Sequence, residues 1–147
     1  MKRRGVINQP LSSELAGLGH GDTFLLCDAG FPIPADVKRV DMALTFGIPS
    51  MKQCLESILS EVNIQKVTIA EEMNGLNAEG EDYLTSIFKN QEFIKVPQQK
   101  LVELAKKVKF IVRSGELGCY SNVLMEAASG VESYKKDFII NTGEDNE

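Results

Sequence analysis

The sequence predicts an α/β fold, a three-layer α/β/α sandwich around a mostly parallel, mixed sheet in a single domain. Two observations predict it. Apolar strands alternate with amphipathic helices over most of the chain. The 147 residues also include 43% hydrophobic residues and no repeated block, and a chain of this size buries about two-thirds of its unfolded surface in one compact core.

An N-terminal helix and two strands are predicted first. Leucines recur at helical spacing behind a proline suited to the first helical position, and a glycine can close the helix. These residues are Pro10, Leu11, Leu15, Leu18 and Gly19. The apolar run from Thr23 to Cys27 predicts a buried strand. Large apolar residues alternate with small or polar ones over residues 40–45, which predicts a strand with one face more exposed to solvent.

The remaining elements continue the alternation. Ser50 and Gln53 have the spacing of a capping box, and an apolar face follows them over residues 51–62. After this helix the periodicity predicts a strand at 66–70, a helix at 78–89, a strand at 93–96, a helix opened by Pro97, a strand at 110–113 and a further short strand at 123–125.

Composition excludes several function classes. The formal charge of -5 and the lack of a basic stripe make nucleic acid an unexpected partner. No apolar run reaches the length of a membrane span or a signal peptide, so we expect no membrane association and a cytoplasmic location. Three widely spaced cysteines indicate neither disulfides nor a metal site, and we expect them reduced and partly buried.

Polar residues follow several predicted strands. In α/β sheets, ligands bind beyond the carboxyl ends of the strands. Asp28 follows the first buried strand, Glu71 and Glu72 follow another, and residues 114–116 follow the strand that ends at Arg113. Adjacent Glu71 and Glu72 cannot flank one bond as an acid/base pair, so at least one should be solvated or contact a helix start.

His20 is the single histidine of the chain and lies between Gly19 and Gly21. It is therefore the one side chain that titrates near neutral pH without perturbation. The glycines of this region follow a helix and precede a strand, which is the reverse of a nucleotide-binding loop. Cys119 could be a nucleophile with His20 as its base, but burial in the core is the favoured interpretation for this cysteine.

Four separated segments together resemble the D-ribose pyranase and fucose mutarotase family, with the ribose branch favoured. The order and spacing match over residues 1–131. The segments are Leu18 to Asp22, Cys27 to Pro34, Arg39 to Leu44, and Val112 to Glu116 followed by Tyr120 to Asn122. The resemblance implies a cytoplasmic isomerase that interconverts the pyranose and furanose forms of a free aldose, expected to be D-ribose, without a metal or an organic cofactor. It also implies a ring-shaped homo-oligomer with sites near subunit contacts.

The resemblance also assigns residues. It implies that His20 is the proton donor and that the sugar is bound by Asp28, Gln98, Tyr120, Ser121 and Asn122. One departure concerns a second sugar-contacting histidine of the family, since this chain has Gln98 or Gln99 there. Glutamine can form hydrogen bonds but cannot exchange a proton near neutrality. Residues 132–147 form an acidic extension beyond the family length, predicted to be disordered or to pack across a neighbouring subunit.

These residues suggest acid/base ring opening. Protonated His20 would donate to the ring oxygen while Asp28 holds a hydroxyl, and water, Asp28 or a group of another subunit would accept the anomeric proton. Two alternatives stay open from the sequence. The protein could be a mutarotase of fucose or another aldose, or a non-catalytic sugar-binding or regulatory protein.

Overall fold

The computed structural model describes residues 1–140, so residues 141–147 of the predicted acidic extension lie outside the described residues. The helices are α1 (Gln9–Ala16), α2 (Met51–Leu59), α3 (Met73–Leu76), α4 (Ala78–Ile87) and α5 (Gln98–Leu104), and a 3-10 turn follows at Ala105–Lys107. The strands are β1 (Thr23–Cys27), β2 (Arg39–Asp41), β3 (Ile64–Ala70), β4 (Glu92–Val96), β5 (Ile111–Arg113) and β6 (Val123–Ala127).

The six strands form one sheet in the order β2-β5-β1-β6-β3-β4. Strands β2, β5 and β1 are mutually parallel, and β3 is parallel to β4. Strand β6 pairs antiparallel with both β1 and β3. Five strands therefore run in one direction and β6 in the other, so β6 begins at the edge where the five others end. The prediction of a mostly parallel, mixed sheet is confirmed.

Helices cover both faces of the sheet, as the three-layer prediction requires. Successive side chains of a strand point to opposite faces, and β1 sends Phe24 and Leu26 into one apolar cluster and Leu25 and Cys27 into another. The first cluster is completed by buried residues of three helices, namely Leu11 and Leu15 of α1, Cys54, Leu55 and Ile58 of α2, and Leu84 and Ile87 of α4. The second is completed mainly by Leu101 of α5, Ala105 and Val108.

Three local predictions are corrected. Helix α1 ends at Ala16 with Gly17 as its cap, two residues before the predicted glycine. The strand expected over 40–45 is only β2, because the Asp41 carboxylate accepts the Ala43 N–H at 3.1 Å and turns the chain away. Helix α3 was not predicted, since its four residues are too few to show helical periodicity.

Residues 128–140 continue past β6 without a further helix or strand. Phe138 and Ile140 pack against the first apolar cluster, and the Asn90 amide donates to the Asp137 carbonyl at 3.0 Å. Among the described residues no helix has the length and apolar character to span a bilayer.

Candidate active site

Asp28 and Asn122 meet where β1 ends and β6 begins. Because the two strands are antiparallel, with Leu26 opposite Val123, the residues just beyond them are neighbours. The Asp28 N–H donates to Asn122 Oδ1 at 2.9 Å. Asn122 is only 1% exposed, and its Nδ2 is buried with no partner among the described residues. A buried donor without a partner is costly, and a bound hydroxyl would satisfy it.

Gln98 supplies a second unpartnered polar atom at the same edge of the sheet. It opens α5 directly after β4, and its N–H donates to the Glu72 carboxylate at 2.9 and 3.1 Å. Its Oε1 is buried and has no partner within residues 1–140, whereas Gln99 is exposed. Asn122 precedes β6 and Gln98 follows β4. These strands are two positions apart in the sheet, so the Asn122 and Gln98 side chains start about 10 Å apart. Of the two glutamines, Gln98 is therefore the one directed inward.

Tyr120 and Ser121 form the turn that leads into β6. Tyr120 has φ +55°, a left-handed conformation that is uncommon for a residue with a side chain and is often found at functional sites. Asn77 holds this turn, since its Nδ2 donates to the Cys119 carbonyl and to Ser121 Oγ, each at 3.0 Å. Ser121 is 1% exposed, and its hydroxyl oxygen already accepts this hydrogen bond from Asn77 inside the protein.

Asn77 was missed by sequence reasoning. Its Oδ1 accepts the Gly80 N–H at 3.0 Å and caps α4, so one amide fixes both a helix start and the Tyr120 turn. An asparagine directly before a predicted helix is a capping signal that could have identified the first role. The second role depends on a contact between residues 44 positions apart, which the sequence does not reveal.

The Asp28 carboxyl is shaped by burial. Partial removal from water raises its pKa above the usual aspartate range. Hydrogen bonds from the Gly30 N–H, which is 3.0 Å from Oδ1, and from neighbouring groups oppose this shift, while the nearby negative charge of Glu116 adds to it. Asp28 is therefore a half-buried carboxylate whose charge is partly compensated, suited to accepting hydrogen bonds from a polar ligand.

His20 lies at the opposite edge of the sheet. It occupies a β-turn in which the Asp22 N–H donates to the Gly19 carbonyl at 3.1 Å, and Gly21 has φ +84°. The Asp22 carboxylate accepts the Gly19 N–H at 2.7 Å and pairs with Lys109 at 3.0 Å. Because positive φ favours glycine at this position of the turn, Gly21 is needed to present His20.

The His20 ring is contacted on two sides. The Ser129 N–H donates to Nδ1 at 3.1 Å, and the Tyr134 ring lies with its centroid 4.5 Å away. A nitrogen that accepts a hydrogen bond carries no proton, so the neutral imidazole holds its proton on Nε2. His20 is exposed, and its Nε2 is thus available as a donor.

The predicted site residues consequently form two groups. Asp28, Gln98 and the segment 120–122 share the edge where the parallel strands end, while His20 lies before the start of β1. The five residues of β1 alone separate the groups by about 16 Å. Within one chain, a small ligand cannot contact both His20 and Asp28.

The three cysteines and Glu72 have surroundings that contradict or refine the predictions. Cys119 is exposed, so the expected burial of this cysteine is wrong, because its turn crosses the surface before β6. Cys27 and Cys54 are buried, and burial raises the pKa of the Cys27 thiol to about 12, which keeps it protonated at neutral pH.

Glu72 contacts the start of α5, as expected for one residue of the Glu71–Glu72 pair.

Replacing Gly21 by alanine should lower the free energy of unfolding by about 1–2 kcal/mol, the cost of a left-handed conformation for a residue with a Cβ. A Cβ at Gly21 would meet nothing within 4 Å, so the cost is conformational alone. Gly75→Ala is the matched control, since its Cβ is equally unobstructed but lies in α3. Urea titration of both variants measures the difference, and equal effects would contradict the role of the turn.

Comparison with known proteins shows which family the chain resembles. The family model described as "RbsD / FucU transport protein family" matches residues 1–131. The chain is 40% identical to D-ribose pyranase 2 of Rubrobacter xylanophilus over 135 residues, covering 91% of this chain and 88% of that protein. It is 41% identical to D-ribose pyranase of Bacillus cereus over 127 residues, covering 86% and 97% respectively.

Solved structures of similar fold include RbsD of Bacillus subtilis complexed with D-ribose. Its TM-score is 0.85 at 32% identity, with 88% of this chain and 98% of that chain covered. The fucose mutarotase of Streptococcus pneumoniae in complex with L-fucose has a TM-score of 0.65 at 20% identity, covering 89% and 100%. The second comparison shows a shared fold alone.

Proposed function

Since the chain belongs to the RbsD / FucU transport protein family, we propose that it interconverts the pyranose and furanose forms of D-ribose. It is an isomerase, as its relationship to the D-ribose pyranases establishes. The observation that carries the choice of ligand is the pair of buried, unpartnered polar atoms, Asn122 Nδ2 and Gln98 Oε1. With the Asp28 carboxylate they offer a donor and acceptors at one edge, which matches a molecule bearing several hydroxyls.

The reaction needs only proton transfers. Opening the ring moves a proton off the anomeric hydroxyl and delivers one to the ring oxygen as the bond between that oxygen and the anomeric carbon breaks. Attack of a different hydroxyl on the aldehyde, with the reverse proton transfers, gives the furanose. In the proposal His20 delivers its proton through Nε2, and Asp28 or water accepts the anomeric proton. Positioned proton transfer of this kind contributes about 10²- to 10⁴-fold to a rate.

The site is proposed to form between two copies of the chain in a ring-shaped homo-oligomer. The separation of His20 from Asp28 along β1 supports this. A sugar bound at Asp28 is too far from His20 of the same chain, but His20 of the partner subunit can reach it. An exposed apolar loop beside the Asp28 edge supports it as well. Leu44 and Phe46 are 79% and 84% exposed, and they line a cavity of about 200 Å³ with Ala29 and Arg113. Exposed apolar patches of this kind typically mark protein contacts.

The proposal includes a cytoplasmic location and excludes nucleic acid as a partner. Cys27, Cys54 and Cys119 are free thiols, and the cytoplasm is the compartment that keeps thiols reduced. The net charge of -5 repels the phosphate backbone of a nucleic acid.

Saturation-transfer NMR on equilibrated sugars tests the function. We expect the protein to accelerate exchange between the pyranose and furanose forms of ribose more than it accelerates the corresponding exchange of fucose or galactose. Greater acceleration with fucose would identify a mutarotase of that sugar instead. Saturable ribose binding without faster exchange would identify a non-catalytic binding protein and contradict the proposal.

Ribose affinity should fall as the solution becomes acidic. Burial raises the pKa of Asp28, so its carboxylate is lost at a higher pH than that of an exposed aspartate, whose pKa is about 3.9. The protonated form accepts hydrogen bonds from the sugar less strongly than the charged form. Calorimetric titration between pH values of about 4 and 8 measures the effect. Asp28→Asn should bind weakly at every pH, and an unchanged pH dependence in that variant would exclude Asp28 as the cause.

A further inference from the structure

The two contacts of His20 respond differently to protonation. The Ser129 N–H donates to Nδ1, which is possible only while that nitrogen lacks a proton. In imidazolium both ring nitrogens carry protons. The Ser129 contact therefore holds the neutral ring and is lost in the protonated form, which is the form that donates a proton in the proposed reaction.

The Tyr134 contact persists in both forms. Its ring centroid is 4.5 Å from that of His20, and the two planes are tilted by 51°. Aromatic rings attract one another at this separation, and a cation within about 6 Å of an aromatic centroid is attracted as well. We propose that Tyr134 is a positioning residue for His20, which keeps the imidazolium directed at the substrate when the Ser129 contact is absent. This inference rests on the proposed function.

Tyr134 is held in place by the segment around it. Its N–H donates to the Val131 carbonyl at 3.0 Å, and Lys135 pairs with Glu132 at 3.0 Å. Further along, the Phe138 ring meets that of Phe88 edge-on at 6.2 Å. On the other side of Tyr134, the Ala128 N–H donates to the Asn63 carbonyl at 2.8 Å. The segment is thus attached to the domain before and after Tyr134, which lets a 42% exposed tyrosine hold a fixed orientation.

This segment follows the part of the chain that the family model matches, residues 1–131. The support that Tyr134 gives to His20 therefore lies in the extension proposed to begin at residue 132, outside the residues that the family model matches. In the proposal its function is tied to proton transfer, because Tyr134 contacts the ring of His20.

Kinetics of two substitutions test the inference. Tyr134→Ala should lower kcat for ribose exchange about tenfold, a part of the 10²- to 10⁴-fold that proton transfer supplies, while KM stays within about twofold because the Asp28 edge is intact. Tyr134→Phe should restore kcat, since the ring and not the hydroxyl makes the contact. Ile139→Ala is the control, as Ile139 is 56% exposed in the same segment. A kcat unchanged in Tyr134→Ala, or equally reduced in Tyr134→Phe, would overturn the inference.

NMR decides the contact independently of activity. His20 is the single histidine, so histidine imidazole signals can be assigned to it directly. We expect a ring-current shift of these protons that disappears in Tyr134→Ala and remains in Tyr134→Phe. Identical His20 signals in all three proteins would refute the inference even if ribose exchange is fast. Conversely, slow exchange in the unmodified protein would refute the proposed function and leave the NMR result to decide the contact.

Discussion

Replacing His20 by alanine is expected to slow ribose ring exchange by about 10²- to 10⁴-fold, the usual contribution of a positioned proton-transfer group. No second histidine can substitute, because the chain contains one. Ribose affinity should change much less, since Asp28, Asn122 and Gln98, which hold the sugar in the proposal, are unchanged in this variant. Saturation-transfer NMR measures the exchange, and calorimetry measures the affinity.

Ser129→Ala is the matched control for this experiment. The hydrogen bond from Ser129 to His20 comes from the main-chain N–H, and alanine keeps that N–H, so exchange should remain close to that of the unmodified protein. If His20→Ala exchanges ribose as fast as this control does, His20 is not the proton donor and the proposed mechanism is wrong.

Mixed oligomers provide the second large effect. Asp28→Ala should also be nearly inactive, because the sugar loses its charged hydrogen-bond acceptor. When the His20→Ala and Asp28→Ala chains are co-expressed, some interfaces combine an intact His20 from one chain with an intact Asp28 from the other. Random mixing makes about one quarter of the interfaces intact, since each subunit has an even chance of being either variant.

The expected result is therefore recovery of about one quarter of the original exchange rate from two inactive proteins, as the fraction of intact interfaces requires. Measuring each variant alone and the two mixed after separate folding gives the baseline. A co-expressed sample that stays as inactive as the separate variants would mean that His20 and Asp28 do not act at one shared site.

Much of the fold could be predicted because its signals are local. Strand β1 has the predicted bounds, and the Ser50–Gln53 capping box is present with both of its hydrogen bonds. The errors arise where a side-chain hydrogen bond overrides the pattern. The alternation after β2 continues to residue 45, yet the Asp41 carboxylate accepts the Ala43 N–H at 3.1 Å and turns the chain away from the sheet.

The residues of the candidate site could be proposed from the sequence, but their arrangement could not. Resemblance selected His20, Asp28 and the 120–122 segment without showing that they divide between two edges. The separation was implicit in the predicted strand from Thr23 to Cys27, which lies between His20 and Asp28 in the sequence. The contacts of His20 with Ser129 and Tyr134 were not accessible, because they depend on the pairing of β6 with β1 and link residues more than 100 positions apart.

The reversed direction of β6 has a consequence for communication within the assembly. Asn122 directly precedes the first residue of β6 and lies next to Asp28. The carbonyl of the last residue of β6, Ala127, accepts the Gly21 N–H at 2.9 Å beside His20. In the proposed ring these two ends belong to different sugar sites, so one short strand joins each site to the next. A shift of β6 along its own axis would alter two sites at once. Cooperativity between neighbouring sites would then need no moving domain, only the stiffness of five residues.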